Sequence, residues 1–286
     1  MPKAKFAFEA LGTAWEISTD TPLELIEKDE IGALIETFDY TYSRFRADSL
    51  VTQMAENTGI YTFPEHAYEL FTFYETLYEM TNGQVTPLIG NALEALGYDA
   101  AYSFLQKAQP QKALEYKKVI KRKGIEVTVT RPVMLDFGAA GKGHLVDLVA
   151  RLLESHGRNV YTIDASGDVF HKGDEPEEIG LEHPFDADKI IGVVPLRNRA
   201  LCGSAVTRRA WGKGLHHIID PKTGEPTEGI IATWVVADTA LMADGLATAL
   251  FFTDPKVLLK KYNYEYVRVH SDKTVEYSPY FKEFLY

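Results

Sequence analysis

The chain has 286 residues, 45% of them apolar and 25% charged, which is the composition of an ordinary globular protein with one large domain or two small ones. Its 41 acidic and 30 basic residues give a formal net charge of −11 without a basic stripe, which argues against nucleic acid as a partner. An acidic protein that binds a phosphorylated ligand needs a divalent metal or a helix N-terminus to offset the ligand's charge. The single cysteine, Cys202, excludes an intrachain disulfide and a cysteine metal cluster.

The N-terminal segment predicts where the protein is found. Residues 1–5 (MPKAK) lead directly into a predicted strand, without the apolar core of a signal peptide. No apolar run is long enough to span a bilayer, so no membrane span is expected. We therefore expect a cytoplasmic protein if the numbering begins at the natural start, and an exported one if a leader precedes it.

Hydrophobic periodicity predicts strands and helices along the whole chain. The predicted elements, in chain order, are a strand pair over residues 6–17, helices over 22–41 and 64–80, strands over 125–130 and 133–137, a helix over 142–155, a strand over 159–165, a helix over 239–252 and a hairpin over 262–277. Mixed strands and helices with several hairpins indicate the α+β class.

A glycine-rich segment, residues 135–143 (LDFGAAGKG), joins a predicted strand to a predicted helix, where glycines and free amides suit an anion. A Walker A loop is excluded, because Gly143 stands where Ser or Thr would follow Lys142. A dinucleotide fingerprint has its glycines in another order, although Asp164 lies where a ribose-binding acid would. A turn without a ligand stays open as the third interpretation.

Two oxygen-bearing side chains share one face of the last predicted helix. Asp244 and Thr248 are four residues apart in an otherwise apolar stretch. Burying a lone carboxylate costs free energy, and Mg²⁺ favours one or two carboxylates together with phosphate oxygens. The alternative is that Asp244 faces water and the Thr248 hydroxyl bonds back to a helix carbonyl.

Two adjacent histidines, His216 and His217, precede a predicted turn at Asp220. Neighbouring residues on a strand point to opposite faces, so at most one of the two faces a given site. That histidine is a candidate base or acid. Zinc is not expected, because no Cys/His ligand spacing accompanies the pair.

Taken in order, these segments resemble the FAD:protein FMN transferase family, the ApbE-type flavin transferases. The matching segments cover nearly the whole chain: residues 11–15 (LGTAW), 42–49 (YSRFRADS), 81–88 (TNGQVTPL) with 96–98 (LGY), 135–143 with Asp147, 166–168 (SGD), 217–224 (HIIDPKTG) and 243–248 (ADGLAT). The resemblance implies an α+β, ApbE-like mixed α/β fold in a single domain over residues 1–286, with the flavin site between two halves of the chain.

The resemblance also implies a site with three groups of residues. Mg²⁺, with Mn²⁺ as the alternative, would be bound by the side chains of Asp244 and Thr248 and the main-chain carbonyl of Ala139. The residues implied to bind FAD are Tyr42, Leu96, Gly97, Tyr98, Asp136, Lys142 and Ile219. The implied catalytic residues are His217, Lys142 and Asp220.

A mechanism follows from the charges. The metal and Lys142 neutralise the FAD pyrophosphate, and a Thr or Ser hydroxyl of an acceptor flavoprotein attacks the phosphorus on the FMN side while AMP leaves. His217 is the candidate base and Asp220 its orienting partner.

The chain departs from the family pattern at two internal segments. Residues 42–45 (YSRF) lack the family's usual Ser-Thr-Tyr sequence, so different contacts to the adenine side of FAD are expected. Residues 202–205 (CGSA) stand where a Thr/Ser-Ser-Gly run is common.

Three other functions stay open at this point. A metal-dependent FAD pyrophosphatase would use water instead of the acceptor hydroxyl and give FMN and AMP. A non-catalytic FAD-binding protein would hold FAD without turnover. A nicotinamide-dependent dehydrogenase would rest on the glycine-rich segment and Asp164, and the order of the glycines counts against it.

Overall fold

A computed structural model of the chain describes residues 4–286, and its strands and helices confirm the predicted α+β class. The strands are β1 (Ala4–Ala10), β2 (Thr13–Thr19), β3 (Gly59–Thr62), β4 (Ile120–Lys123), β5 (Glu126–Val129), β6 (Tyr161–Asp164), β7 (Asp168–Lys172), β8 (Glu177–His183), β9 (Asp186–Leu196), β10 (Arg199–Ala205), β11 (Ala210–Trp211), β12 (Leu215–His216), β13 (Ile230–Ala237), β14 (Glu265–His270) and β15 (Val275–Tyr277). The α-helices are α1 (Leu25–Tyr42), α2 (Leu50–Glu56), α3 (Ala67–Met80), α4 (Gly90–Ala95), α5 (Tyr116–Val119), α6 (Gly141–Ser155), α7 (Ala240–Ala249) and α8 (Pro255–Leu258).

The central sheet has eight antiparallel strands in the order β1-β2-β6-β7-β10-β13-β14-β15. Three smaller sheets accompany it: β3-β5-β4, and the pairs β8-β9 and β11-β12. Helix α7 lies against β10 and β13, and α6 packs between α7 and α1. This arrangement sets the N-terminal end of α6 beside α7.

Both faces of the central sheet are covered, as β13 illustrates. Val235 and Ala237 face the large apolar core under the helices, whereas Trp234 and Val236 face a second core that includes residues of the β8–β9 hairpin. This alternation is that of a strand buried on both faces. On the neighbouring β10, Cys202 is fully buried with its Sγ atom 3.6 Å from the Ala240 carbonyl oxygen.

The helix boundaries have local causes. Glu24 and Glu27 form a capping box at the start of α1. The Thr239 hydroxyl accepts the Met242 N–H at the start of α7. After α3, Asn82 and Gly83 adopt φ values of 52° and 84°, the left-handed conformation that the sequence predicts for this helix end.

One predicted strand is wrong. Residues 133–137 pair with no strand, because their amides bond to separate segments: Val133 donates to the Met54 carbonyl at 3.0 Å and Asp136 to the Pro87 carbonyl at 2.8 Å. The segment is extended between two buried surfaces, which gives it the apolar pattern of a strand. Because β6 pairs antiparallel with its neighbours, the glycine-rich turn is not part of a βαβ unit, and the dinucleotide interpretation loses its structural basis.

Among residues 4–286, no helix combines the length and apolar character needed to cross a bilayer. The expectation about location rests in part on residues 1–3, which lie outside the described residues.

Candidate active site

Helices α6 and α7 approach each other closely at Gly143, near the start of α6. A Cβ atom at this position would lie 2.7 Å from the Asp244 Cβ and would overlap the Ala240 carbonyl of α7, so only glycine fits. The Gly143 N–H donates to the Asp244 Oδ2 atom at 2.9 Å. The absence of a side chain at Gly143 therefore positions the Asp244 carboxylate against the first turn of α6.

Lys142 forms an ion pair with the buried carboxylate of Asp168. Its Nζ atom lies 3.1 Å from Asp168 Oδ2 and donates to the Ala165 carbonyl at 2.9 Å. Burial disfavours the ammonium form, but the charges of Asp168 and Asp244 outweigh burial and raise the pKa of Lys142. Burial, with the charge of Asp168, raises the pKa of Asp244 well above its ordinary value. The site thus combines a protonated lysine, Lys142, with a buried carboxylate, Asp244, whose charged form the surrounding positive charges do not fully stabilise.

Asp147 fixes α7 to α6. Its two carboxylate oxygens accept the N–H groups of Ala240 and Leu241, each at 2.8 Å. These amides belong to the first turn of α7, where a carboxylate is favoured by the helix dipole. Burial raises the pKa of Asp147 to about 6. The contact holds Asp244, one turn further along α7, in register with Lys142.

Three oxygen atoms of the predicted metal site are free of protein hydrogen bonds. Within residues 4–286, neither the Thr248 hydroxyl nor the second carboxylate oxygen of Asp244 has a hydrogen-bond partner. The usual partner of the Ala139 carbonyl would be the Gly143 N–H, which is instead donated to Asp244. A carboxylate, a hydroxyl and a carbonyl are the hard oxygen donors that Mg²⁺ and Mn²⁺ accept, so these residues fit such a cation.

The alternative of a solvent-facing Asp244 is wrong, because this residue is 5% exposed. The part of the chain that the structure describes also contains no group of three or more His, Cys, Asp or Glu residues arranged to bind a metal. The candidate site is therefore of the mixed oxygen type.

Asp136 shapes the glycine-rich turn and binds a buried arginine. Its Oδ1 atom accepts the Gly138 N–H at 2.7 Å, and its Oδ2 atom accepts the Nε–H of Arg44 at 2.6 Å. The Arg44 guanidinium is buried, 4.2 Å from the Phe45 ring centroid and 4.8 Å from that of Tyr98. Both its terminal nitrogens lack a hydrogen-bond partner among residues 4–286, although Nη1 lies 3.5 Å from Glu94 Oε1 in an ion pair. The Nη2 atom of Arg44 therefore retains its donors, and sequence reasoning assigned this residue no role.

Several of the residues predicted to bind FAD meet in one aromatic cluster. The Tyr98 ring stacks on that of Trp211 at 5.7 Å between centroids, and the Trp211 indole N–H donates to the Leu96 carbonyl at 2.9 Å. Gly97 adopts a φ of 97°, the left-handed conformation that turns the chain between these two residues. Ile219 packs in the same apolar cluster. Leu96, Gly97, Tyr98 and Ile219 are thus brought together.

The two adjacent histidines have different environments. His216 uses both ring nitrogens, since Nε2 donates to the Thr227 carbonyl at 3.1 Å and Nδ1 accepts the Ile218 N–H at 3.3 Å. The buried Nδ1 of His217 has no partner in the described part of the chain. Burial, together with the charge of Arg209, lowers the pKa of His217 to about 4. His217 is therefore neutral at pH 7 and free to accept a proton.

The orienting contact predicted between Asp220 and His217 is absent. The Asp220 carboxylate instead accepts the Gln84 Nε2–H at 3.3 Å and the Lys222 N–H at 2.8 Å. These bonds shape the turn that follows His217, because an aspartate readily bonds to an amide two residues ahead. Asp220 therefore supports the loop, and the lowered pKa of His217 comes from other groups.

Tyr42, the remaining residue predicted to bind FAD, lies at the end of α1. Its hydroxyl is 3.4 Å from the Nδ1 atom of His66, which lies 3.3 Å from the Nε2 atom of His144. Its ring packs edge-on against Phe137, the neighbour of Asp136. Tyr42 thus contacts the glycine-rich turn from the side of α1.

The sequence and the fold of the chain were compared with those of known proteins. The sequence profile of the ApbE family matches residues 11–268. The chain belongs to the ApbE family.

The ApbE-family relatives and structures are similar over most of the chain. FAD:protein FMN transferase of Klebsiella pneumoniae (strain 342) is 23% identical over 274 residues, covering 87% of this chain and 78% of the relative. The Rhodobacter capsulatus protein of the same name is 27% identical, over 87% of this chain and 51% of its own length. The ApbE protein of Thermotoga maritima MSB8 superposes with a TM-score of 0.86 at 26% identity over 99% of both chains. The flavin transferase ApbE from Vibrio cholerae has a TM-score of 0.83 at 21% identity, also over 99% of both chains.

Membership in the ApbE family confirms the family and fold predicted from the sequence. The roles of the individual site residues remain predictions. Sequence reasoning assigned no role to four residues that the structure places beside them: Arg44, Asp168, Arg209 and Trp211. Each lies in or next to a segment that carries the resemblance, but only its three-dimensional partners distinguish it from a surface or core residue.

Proposed function

We propose that this chain is a FAD:protein FMN transferase, which moves FMN from FAD to a Thr or Ser hydroxyl of an acceptor protein and releases AMP. The observation that carries the proposal is the junction of α6 and α7, where Lys142, Asp168 and Asp244 meet. The name shared by its ApbE-family relatives supports the same activity.

The residues around this junction fit a divalent cation. Asp244, Thr248 and the Ala139 carbonyl would hold Mg²⁺, or Mn²⁺, because each offers an oxygen without a protein partner. When bound, the cation would supply positive charge to the pyrophosphate and so favour attack at phosphorus.

The protein's own residues supply the remaining functions. The raised pKa of Lys142 keeps an ammonium group available to neutralise a pyrophosphate oxygen. The neutral His217 accepts the proton of the attacking hydroxyl, because its lowered pKa leaves the ring unprotonated at pH 7. The aromatic cluster around Tyr98 offers flat apolar surfaces for the rings of FAD. In this reaction one P–O bond forms to the acceptor oxygen and the bond between phosphorus and the bridging oxygen breaks, so that AMP leaves with the electron pair.

The acceptor distinguishes transfer from hydrolysis. A metal-dependent FAD pyrophosphatase would use the same residues with water as the nucleophile, and a flavin-binding protein would release no AMP. An assay therefore needs FAD, Mg²⁺ and a peptide that carries a Thr, with and without EDTA, and follows AMP by chromatography and the peptide by mass spectrometry. A peptide mass gain equal to FMN minus water, lost with EDTA, is expected.

The variant that tests the site is Asp244→Asn. Its amide oxygen can still accept the Gly143 N–H, but the charge is lost, so we expect AMP release to fall by about 10²-fold or more. Asp238→Asn is the matched control, because Asp238 is exposed and lies just before α7. Free FMN without a mass gain would favour the pyrophosphatase, and bound FAD without AMP would overturn the catalytic proposal.

A further inference from the structure

The guanidinium of Arg209 has no carboxylate partner among the described residues, in a protein with a net charge of −11. Six other arginines are buried or partly buried, and each of them lies within 4.0 Å of a carboxylate: Arg44, Arg46, Arg122, Arg158, Arg199 and Arg268. Arg209 is partly buried too, yet within residues 4–286 its guanidinium has neither an ion pair nor a hydrogen bond. With 41 acidic residues in the chain, a free guanidinium in a partly buried position needs an explanation.

Arg209 lies among the residues of the candidate active site. Its guanidinium carbon is 5.6 Å from the Tyr98 ring centroid, and its main-chain carbonyl accepts the His217 N–H at 3.2 Å. The side chain therefore contacts the predicted flavin cluster, and its charge acts on the candidate base.

The chemistry of the group defines its ligand. A guanidinium presents five N–H donors in a planar fork that matches two oxygens of a phosphate group. Stacking on an aromatic ring fixes the plane of the fork and leaves its edge available. Arg209 thus suits an anion that carries phosphate and lies next to an aromatic ring system.

We propose that Arg209 binds the pyrophosphate of FAD and holds the negative charge that develops on the AMP leaving group. This inference rests on the proposed function, to which it adds a residue that receives the charge when the P–O bond breaks. Lys142 and Arg209, on separate segments, then supply positive charge to the same pyrophosphate.

The test compares ligands that share different parts of FAD, measured by calorimetry in EDTA. FAD contains the pyrophosphate and the flavin, ADP has a pyrophosphate without the flavin, and riboflavin has the flavin without phosphate. Loss of a bidentate ionic contact in Arg209→Gln is expected to weaken FAD and ADP by about tenfold to a hundredfold and to leave riboflavin within about twofold. Arg209→Lys keeps the charge without the fork and should fall between the wild type and Arg209→Gln.

Arg208→Gln is the matched control. Arg208 is the preceding residue, exposed and paired with Glu182 at 2.7 Å, so its removal should change none of the three affinities. A second readout is the pKa of His217 by NMR, which should rise in Arg209→Gln because a nearby positive charge is lost while His216 and Asp136, the other groups that act on His217, remain.

Each outcome decides the proposal. Unchanged FAD and ADP affinity in Arg209→Gln would overturn it. An equal loss for riboflavin would also overturn it, since Arg209 would then act by supporting the aromatic cluster. Failure of the proposed function has a different signature: the wild type would bind FAD and ADP in an Arg209-dependent manner and yet release no AMP with Mg²⁺.

Discussion

His217 is available for chemistry because its neighbour takes the structural role. His216 is bonded through both ring nitrogens, whereas the Nδ1 atom of His217 has no partner within residues 4–286. Partial burial of the ring lowers the pKa of His217 and so keeps it unprotonated. Two residues of one type, adjacent in sequence, thus have different surroundings, and we propose different roles for them.

Substitution of the two histidines should separate these roles. We expect His217→Gln to lower the rate of AMP release by about 10²- to 10⁴-fold with little change in thermal stability. His216→Gln should lower the melting temperature instead, since two buried hydrogen bonds are disturbed. Because the pKa of His217 is about 4, its protonation should not reduce the wild-type rate between pH 8 and pH 5. Equal effects of both substitutions on rate and stability would contradict this assignment.

The sequence predicts which side chains share one face of a helix better than it predicts which distant residues they bond to. The spacing of Asp244 and Thr248 is a property of the helix itself, so one shared face follows from the sequence. The partner of Asp220 does not follow, because Gln84 lies 136 residues away along the chain. Arg44 and Asp136, 92 residues apart, illustrate the same limit.

At the scale of secondary structure, the junction of α6 and α7 depends on the glycine at position 143, which has no side chain to separate the two helices. Two groups one turn apart on α6 bind α7. The Gly143 N–H binds the Asp244 side chain, and the Asp147 carboxylate binds the N-terminus of the helix. Both contacts require the helices to be as close as Gly143 permits. The geometry of the candidate metal site is therefore a consequence of helix packing.

Replacing Gly143 with Ala tests this dependence. The new Cβ would overlap Ala240, so we expect a loss of about 1–3 kcal/mol in the free energy of unfolding and a loss of AMP release. Gly32→Ala is the matched control, since a Cβ at this exposed position of α1 meets no atom within 4 Å. It should gain about 0.5–1 kcal/mol, because alanine is the better helix former. Chemical denaturation measures both, and a neutral Gly143→Ala would contradict the close-packing argument.

Elements with strong local patterns could be predicted, and those that depend on partners could not. The helices over residues 64–80 and 142–155 are present as α3 and α6, within a few residues of the predicted bounds. Residues 133–137 are mostly apolar, as a buried strand would be, but they have no neighbouring strand to pair with. A strand is defined by a ladder, which a single segment cannot specify.

For the whole molecule, buried histidines make stability depend on pH. His144 is fully buried, and burial, with the charges of His66 and Arg151, lowers its pKa to about 3. In the unfolded chain a histidine binds a proton below about pH 6.5. The unfolded state therefore gains protons that the folded state does not, and stability is lost as the pH falls from about 6.5 towards 3.

The share of this loss that comes from His144 can be measured separately from that of the other histidines with a lowered pKa, His66, His216 and His217. Between pH 7 and pH 5 His144 should contribute about 2 kcal/mol, so in urea denaturation the stability of His144→Gln should fall by that much less than that of the wild type. His156 is the control with the opposite sign, because its contact with Glu30 raises its pKa. His156→Gln should not reduce the loss on acidification. Equal pH dependence of the wild type and His144→Gln would contradict the assignment.

For the whole molecule, the order of strands in the central sheet is the feature that the sequence pattern could not predict. Predicted elements indicate the α+β class, but β6 lies between β2 and β7, in a different sheet from β5, the strand that precedes it in the chain. Family resemblance supplied the fold where the local pattern could not, because strand order depends on contacts between distant segments.

The single thiol of the chain is an intrinsic probe of how often α7 separates from the central sheet. Cys202 faces α7 from β10, and burial raises the pKa of its thiol, so a thiol reagent can modify it only after the sheet and this helix have separated. The rate of modification in the native state therefore counts these openings without any introduced label. A ligand that bridges α6 and α7 would lower the rate of Cys202 modification in proportion to its occupancy. The buried cysteine would then report binding at a site that it does not contact.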